Sequence, residues 1–274
     1  MTSTDFEQPG EVVKVDFASL IPQAARERAA AEKQRRAAMT PEEREAEDQA
    51  KRRADLVEAS KRIRGDCRRD SGLVGDMLTQ TFDAYRIRSD SQRAARQACK
   101  SFLSHFETTK RGPALWGRSG VGKSHLLRAT CLAALDRDVV IHVKYLDCVT
   151  LGPAIKQNPE LVSWALNCQL LALDDIGKAL LGKRAPWAYE ALVDILQTVD
   201  SRGWPKLACT CQVPLRTIRA NGEVVQKGLE ESNTLKDYVL GRLEKQFVWL
   251  QVEGPNGRST EYLDESDDGN WWAS

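Results

Sequence analysis

The chain holds 274 residues, with 40 Lys and Arg against 39 Asp and Glu, so its formal net charge is +1. That length suits one sizeable domain with an extension, or two small domains, and the balanced charge excludes a global field favouring nucleic acid or membranes. No run of about 20 apolar residues suits a membrane span, and no N-terminal apolar stretch suits a signal peptide, so a soluble, cytoplasmic protein is expected.

In chain order, residues 1–22 carry no clear period and are expected to be flexible. Residues 24–64 are rich in Ala, Arg and Glu. Within them Thr40-Pro41-Glu42-Glu43 reads as a capping box with proline at the first helical position. Acidic residues follow it, and Lys61, Arg62 and Arg64 crowd the last turn before Gly65, so both ends complement a helix dipole. Ala46, Ala50, Ala54 and Val57 give this helix only a thin apolar stripe. It is either a solvated helix of modest stability or a docking arm for a partner protein. A second helix is expected at about 91–106, with Ala95, Cys99, Phe102, Leu103 and Phe106 on its buried face.

Strands and helices then alternate, as in α/β folds. Pro113–Trp116 reads as the first strand and residues 139–143 as the second. Residues 146–167 look helical, with breaks at Gly152-Pro153 and Asn158-Pro159. Leu170–Leu173 is a third strand, 187–201 a helix, Leu207–Thr210 a fourth strand, 235–245 a helix, and Phe247–Val252 a fifth strand. The continuous apolar runs suit parallel strands buried on both faces.

The first motif with chemistry lies just after the first strand. Gly117-Arg118-Ser119-Gly120-Val121-Gly122-Lys123-Ser124 matches the phosphate-binding pattern G-x-x-x-x-G-K-[ST]. Glycines let backbone N–H groups approach a phosphate. Lys123 can reach the β- and γ-phosphates, and the Ser124 hydroxyl can ligate Mg²⁺. The following residues open a helix, whose N-terminus favours an anion. ATP and Mg²⁺ are the expected cofactors. Asp174-Asp175 at the end of the third strand is the acidic counterpart: Asp174 is the metal-side candidate, and Asp175 is placed to polarise a water. At the end of the fourth strand, in Thr210-Cys211-Gln212, Gln212 is the candidate that faces the γ-phosphate or water. Arg242, in Gly241-Arg242-Leu243, is either an exposed helix residue or an arginine finger reaching a neighbouring copy, which requires a homo-oligomer.

The seven cysteines are odd in number and lack C-x-x-C spacing, and the three histidines are scattered. Neither reads as a metal site; the thiols are expected to be reduced.

The stretch from about Phe82 to Tyr262 resembles the DnaC/IstB-like branch of the AAA+ ATPases. The resemblance rests on Thr81-Phe82-Asp83-Ala84-Tyr85, Gly117 to Ser124, Leu173-Asp174-Asp175-Ile176-Gly177, Thr210-Cys211-Gln212 and Gly241-Arg242-Leu243. It implies a P-loop AAA+ core with a five-stranded parallel sheet, nucleotide at one edge and little or no helical lid. It also implies ATP hydrolysis tied to protein assembly on DNA. The helicase loaders of this branch grip a replicative helicase through an N-terminal segment and contact single-stranded DNA. The transposition helpers recruit a transposase. A small-molecule kinase using the same loop is a remoter alternative, and no Arg-rich lid or acceptor-pocket signature supports it.

Within these motifs the chain departs from the branch in two places. It has Thr210-Cys211-Gln212 where Thr-Ser-Asn is usual, and Asp175 where loaders often have glutamate. On this reading residues 1–75 are a charged helical extension, 76–262 the ATPase core, and 263–274 an acidic, disordered tail. Any DNA contact is expected to rest on local basic groups such as Arg62, Arg64, Arg68 and Arg69, or on the oligomer.

Overall fold

The computed structural model describes residues 22–137, 141–181, 186–221, 223–232 and 235–257. The expectations for 1–21 and for the acidic tail therefore lie outside the described residues. The chain divides into two units, Met1–Ser60 and Lys61–Ser274.

In the first unit, helix α1 (Gln23–Ala38) and the start of helix α2 (Pro41–Arg69) are joined through Met39 and Thr40. The capping box forms as expected: the Glu43 N–H donates to Thr40 Oγ1 at 3.2 Å, and the Thr40 N–H donates to Glu43 Oε2 at 2.7 Å. Arg35 pairs with Glu47 and Arg36 with Asp48, which ties the two helices side by side. Neither helix has a buried residue. Exposed ion pairs contribute little, so this hairpin rests mainly on local helical propensity. Helix α2 does not stop at Gly65 but runs on to Arg69. A glycine inside a helix costs only about 1 kcal/mol, and the chain first turns left-handed at Gly72, where φ is +78°.

In the second unit, five strands form one parallel sheet: β1 (Gly112–Trp116), β2 (Val143–Asp147), β3 (Leu170–Asp174), β4 (Lys206–Cys211) and β7 (Phe247–Gln251). Their order is β2-β3-β4-β1-β7. Leu115 sits opposite Thr210 and Leu250, and Leu146 opposite Leu173. The period of two sorts side chains onto two faces. Leu171, Leu173, Leu207 and Cys209 face one core, closed by helices α8 (Pro186–Arg202) and α9 (Asp237–Gln246). Leu170, Ala172, Ala208 and Leu115 face the other, closed by α3 (Asp90–Ser104) and α4 (Lys123–Leu135). The β1, β3 and β4 runs are buried on both faces as expected, whereas β7 lies on the sheet's edge and is only partly covered.

The second strand is shifted from its expected place. Residues 139 and 140 lie outside the described residues, and the strand begins at Val143, not before it. Lys144 hides it in the sequence. That side chain is 1% exposed, and its charge is met by Asp70 at 2.5 Å. The expected 146–167 helix is two shorter ones, α5 (Leu151–Gln157) and α6 (Leu161–Leu166). Pro153 is accommodated in the first turn of α5, and Asn158-Pro159 separates the two. Three further elements have no counterpart in the sequence reading: α1 as a separate helix, α7 (Ile176–Leu181), and an antiparallel hairpin of β5 (Ile218–Ala220) and β6 (Glu223–Gln226).

Candidate nucleotide site

The parallel order brings the carboxyl ends of β1, β3 and β4 together, and the candidate residues sit there. The 117–124 loop joins β1 to α4. Gly122 precedes α4 at φ +91°, and a Cβ there would lie 2.7 Å from the Tyr85 ring. Both facts require glycine. Lys123 is 7% exposed and donates from Nζ to the carbonyls of Gly117 at 2.8 Å and Arg118 at 2.7 Å. Its ammonium is thus folded over the mouth of its own loop.

Ser124 Oγ donates to Asp174 Oδ1 at 2.9 Å, which links the loop to the acidic strand end. Thr210 Oγ also donates to Oδ1. Asp174 Oδ2 accepts from the Tyr145 hydroxyl and from Arg128 Nη2 at 3.3 Å. Asp174 is 5% exposed, so this carboxylate is buried and held at both oxygens. Burial, and then the Asp174 charge, push the Tyr145 hydroxyl far above its ordinary range, so Tyr145 stays a donor.

Asp175 follows at φ +57°, a left-handed conformation rare outside glycine. Its N–H donates to Thr210 Oγ1 at 2.8 Å, which holds the turn. Gln212 Nε2 donates to Asp175 Oδ2 at 3.2 Å, and Lys178 Nζ lies 3.3 Å from the same oxygen. Asp175 Oδ1 is buried with no hydrogen-bond partner. A buried carboxylate oxygen without a partner is costly. It is also the atom that could accept a proton or hold a water.

Arg242 stands apart from these residues. It lies on α9, donates from Nη1 to the Tyr238 carbonyl at 3.1 Å, stacks over the Tyr238 ring and approaches Asp200 at 3.8 Å. Four residues that sequence reasoning did not single out complete the site: Thr210, Tyr145, Arg128 and Lys178. Thr210 carried a signal, being next but one to Gln212. Tyr145 and Arg128 carried none, because only folding brings them to Asp174.

The donors fit a hydrated Mg²⁺ carried by phosphates. Magnesium takes hard oxygen ligands and keeps one or two carboxylates, with phosphate supplying the rest. Among the described residues no cluster of three His, Cys, Asp or Glu could hold a metal unaided. All seven cysteines are unpaired, and six are buried. Among the described residues no helix is long and apolar enough to cross a membrane.

No family model matches the chain, and no curated protein matches it. Solved structures do. The DnaC helicase loader matches at TM-score 0.54 and 21% identity, over 66% of this chain and 100% of that one. A proposed primosome component from Streptococcus pyogenes serotype M3 matches at 0.54 and 21%, over 69% of this chain and 93% of that one. The replication initiator DnaA bound to AMPPCP and single-stranded DNA matches at 0.51 and 18%, over 65% of this chain. This chain spans about half of that DnaA chain, 51% of it. At such identities the likeness is one of fold. The chain shares the fold of these replication proteins, a five-stranded parallel sheet with a phosphate-loop sequence between β1 and α4.

Proposed function

We propose that the chain is a Mg·ATP-binding and ATP-hydrolysing helicase loader of the DnaC-like kind, delivering a replicative helicase to single-stranded DNA. The observation that carries this reading is the junction of Ser124 with Asp174 at 2.9 Å, beside an Asp175 whose Oδ1 has no partner. It sits on a fold that the DnaC loader matches over its whole length. In this reading Gly117 to Ser124 cradle the phosphates, and Ser124 and Asp174 hold Mg²⁺. The metal would supply charge neutralisation at the phosphates. Asp175 orients and deprotonates water, with Gln212 fixing its other oxygen. Arg242 serves a neighbouring copy's site, for which it must leave Tyr238 and Asp200. Arg64, Arg68 and Arg69 are engaged within the chain by the Arg137 carbonyl, Asp136 and Asp66, so a DNA contact through them must replace those partners.

The N-terminal helices are the partner-binding part. Leu56, Val57 and Ile63 on α2 are 67%, 54% and 55% exposed. Apolar side chains so exposed on one helix suit a partner's groove. Co-purification with the host's replicative helicase tests this, comparing the full chain with one carrying Leu56→Ser, Val57→Ser and Ile63→Ser. Capture by the wild type and its loss in the triple variant are expected. Undiminished capture by the variant removes the arm from the account. Capture of a transposase instead turns the reading to the transposition helper.

A further inference from the structure

We infer that Arg128 is a resident counter-ion of Asp174 that Mg²⁺ must compete with, and so sets how much Mg²⁺ the site demands. This rests on the nucleotide reading above. Arg128 lies on α4, five residues beyond Lys123, with its side chain 20% exposed. Its guanidinium is held at three points. Nη2 reaches Asp174 Oδ2 at 3.3 Å, Nε donates to the Tyr145 hydroxyl oxygen at 2.9 Å, and Nη1 donates to Gln80 Oε1 at 3.1 Å. The group is aimed at the carboxylate from the side opposite Ser124, which bonds Oδ1.

The sign of the effect follows from what Arg128 adds. Ser124, Thr210 and Tyr145, all neutral, already orient the Asp174 carboxylate through both oxygens. Losing Arg128 leaves that orientation in place. What Arg128 alone supplies is a positive charge 3.3 Å from the carboxylate before a metal arrives. What stabilises the metal-free state and is lost on metal binding weakens that binding by the same free energy. Arg128 therefore lowers Mg²⁺ affinity while supporting the metal-free fold. Gln80 precedes the Thr81–Tyr85 stretch, so the residue that tempers the metal site is also anchored on the segment leading into the core.

The test titrates Mg²⁺ into the full chain with a fluorescent ATP analogue and reads the Mg²⁺ midpoint of nucleotide binding, alongside the metal-free melting temperature. For Arg128→Gln the midpoint falls by about twofold to fivefold, the range for a partly exposed ion pair. The metal-free melting temperature also falls and recovers with Mg²⁺ and nucleotide. Arg93→Gln on α3, which removes an exposed guanidinium paired with Asp90, keeps the wild-type midpoint. If Arg128→Gln fails to fold, Arg128→Lys, with charge retained but the fork lost, moves the midpoint the same way by a smaller step. Wild-type binding with a midpoint unmoved or raised in the folded Arg128 variants overturns this inference alone. A wild type that binds no nucleotide at any Mg²⁺ concentration overturns the nucleotide reading beneath it.

Discussion

The Gln212 side-chain amide donates to Asp175 Oδ2 at 3.2 Å, so the end of β4 holds the carboxylate at the end of β3 by one oxygen. Lys178 holds the same oxygen at 3.3 Å, and Oδ1 is left without a partner. In the sequence Gln212 stands where the DnaC/IstB-like branch usually has asparagine, and Asp175 where its loaders often have glutamate. A longer amide opposite a shorter carboxylate spans a similar gap.

That relationship sets the first prediction. Asp175→Asn should lower the ATP turnover number by about 10² to 10³-fold, the range for a lost general base. Nucleotide binding should change little. Gln212→Ala should lower turnover by about tenfold through loss of orientation, with KM nearly unchanged. Steady-state kinetics with phosphate detection checks both. A Gln212→Ala enzyme at wild-type rate removes the positioning role.

A second prediction concerns the start of α2. Thr40→Ala removes one half of the capping box and should destabilise that helix by about 1 kcal/mol. No residue of α1 or α2 is buried, so the loss stays local. Circular dichroism should show reduced helicity, while the main melting transition of the second unit stays in place.

A third concerns Asp70 at the end of α2. It bonds Lys144 Nζ, the Trp164 Nε1–H at 3.1 Å and His142 Nε2 at 3.1 Å. The hydrogen bond from Lys144 is the largest cause holding its carboxyl below the usual range. A depressed folded pKa gives stability that is present above the unfolded value of about 3.9 and lost as pH falls through the folded one. Asp70→Asn removes the countercharge of the buried Lys144 ammonium, which keeps the Asp70 carbonyl and the Trp164 ring. Since Asp70 is half exposed, a cost of about 1–2 kcal/mol is expected at neutral pH rather than that of a fully buried pair. The gap between the two melting temperatures should start to narrow as pH falls below about 3.9 and close only below the depressed folded value, where the wild-type carboxylate is also protonated. Equal stability at pH 7 rules the pairing out as a support.

A fourth concerns the thiols. Burial pushes Cys99 and Cys211 up to about 11 and Cys168 up to about 12, and six of the seven cysteines are buried. Under native conditions a thiol reagent should label Cys67 alone, and slowly, because its thiol is also raised by partial burial. In denaturant all seven should react. Fast native labelling of several cysteines contradicts the packing described.

What was legible in the sequence was what local rules write. Thr40 to Glu43 formed its capping box, the 117–124 loop fell between β1 and α4, and the β3 and β4 runs became buried strands. The failures have physical causes. Lys144 sits inside β2, where a charge normally argues against burial, and Asp70, 74 residues earlier, together with the Trp164 ring makes it tolerable. Gly65 read as a stop because glycine often ends helices, yet its φ here is not left-handed. Tyr145 and Arg128 belong to the site only because the parallel pairing of β2 with β3 and the packing of α4 bring them to Asp174. A single sequence carries no trace of such contacts, whereas a motif carries its own.

The central claim is that the loop at Gly117–Ser124 and the carboxylate of Asp174 form one nucleotide site. Equilibrium binding of a fluorescent ATP analogue with Mg²⁺, to the wild type and to Lys123→Ala, tests it most directly. The wild type should bind saturably and the variant should lose at least about 100-fold in affinity, since a charge-assisted contact to two phosphates is removed. Equal binding by both proteins, or none by the wild type, would contradict it.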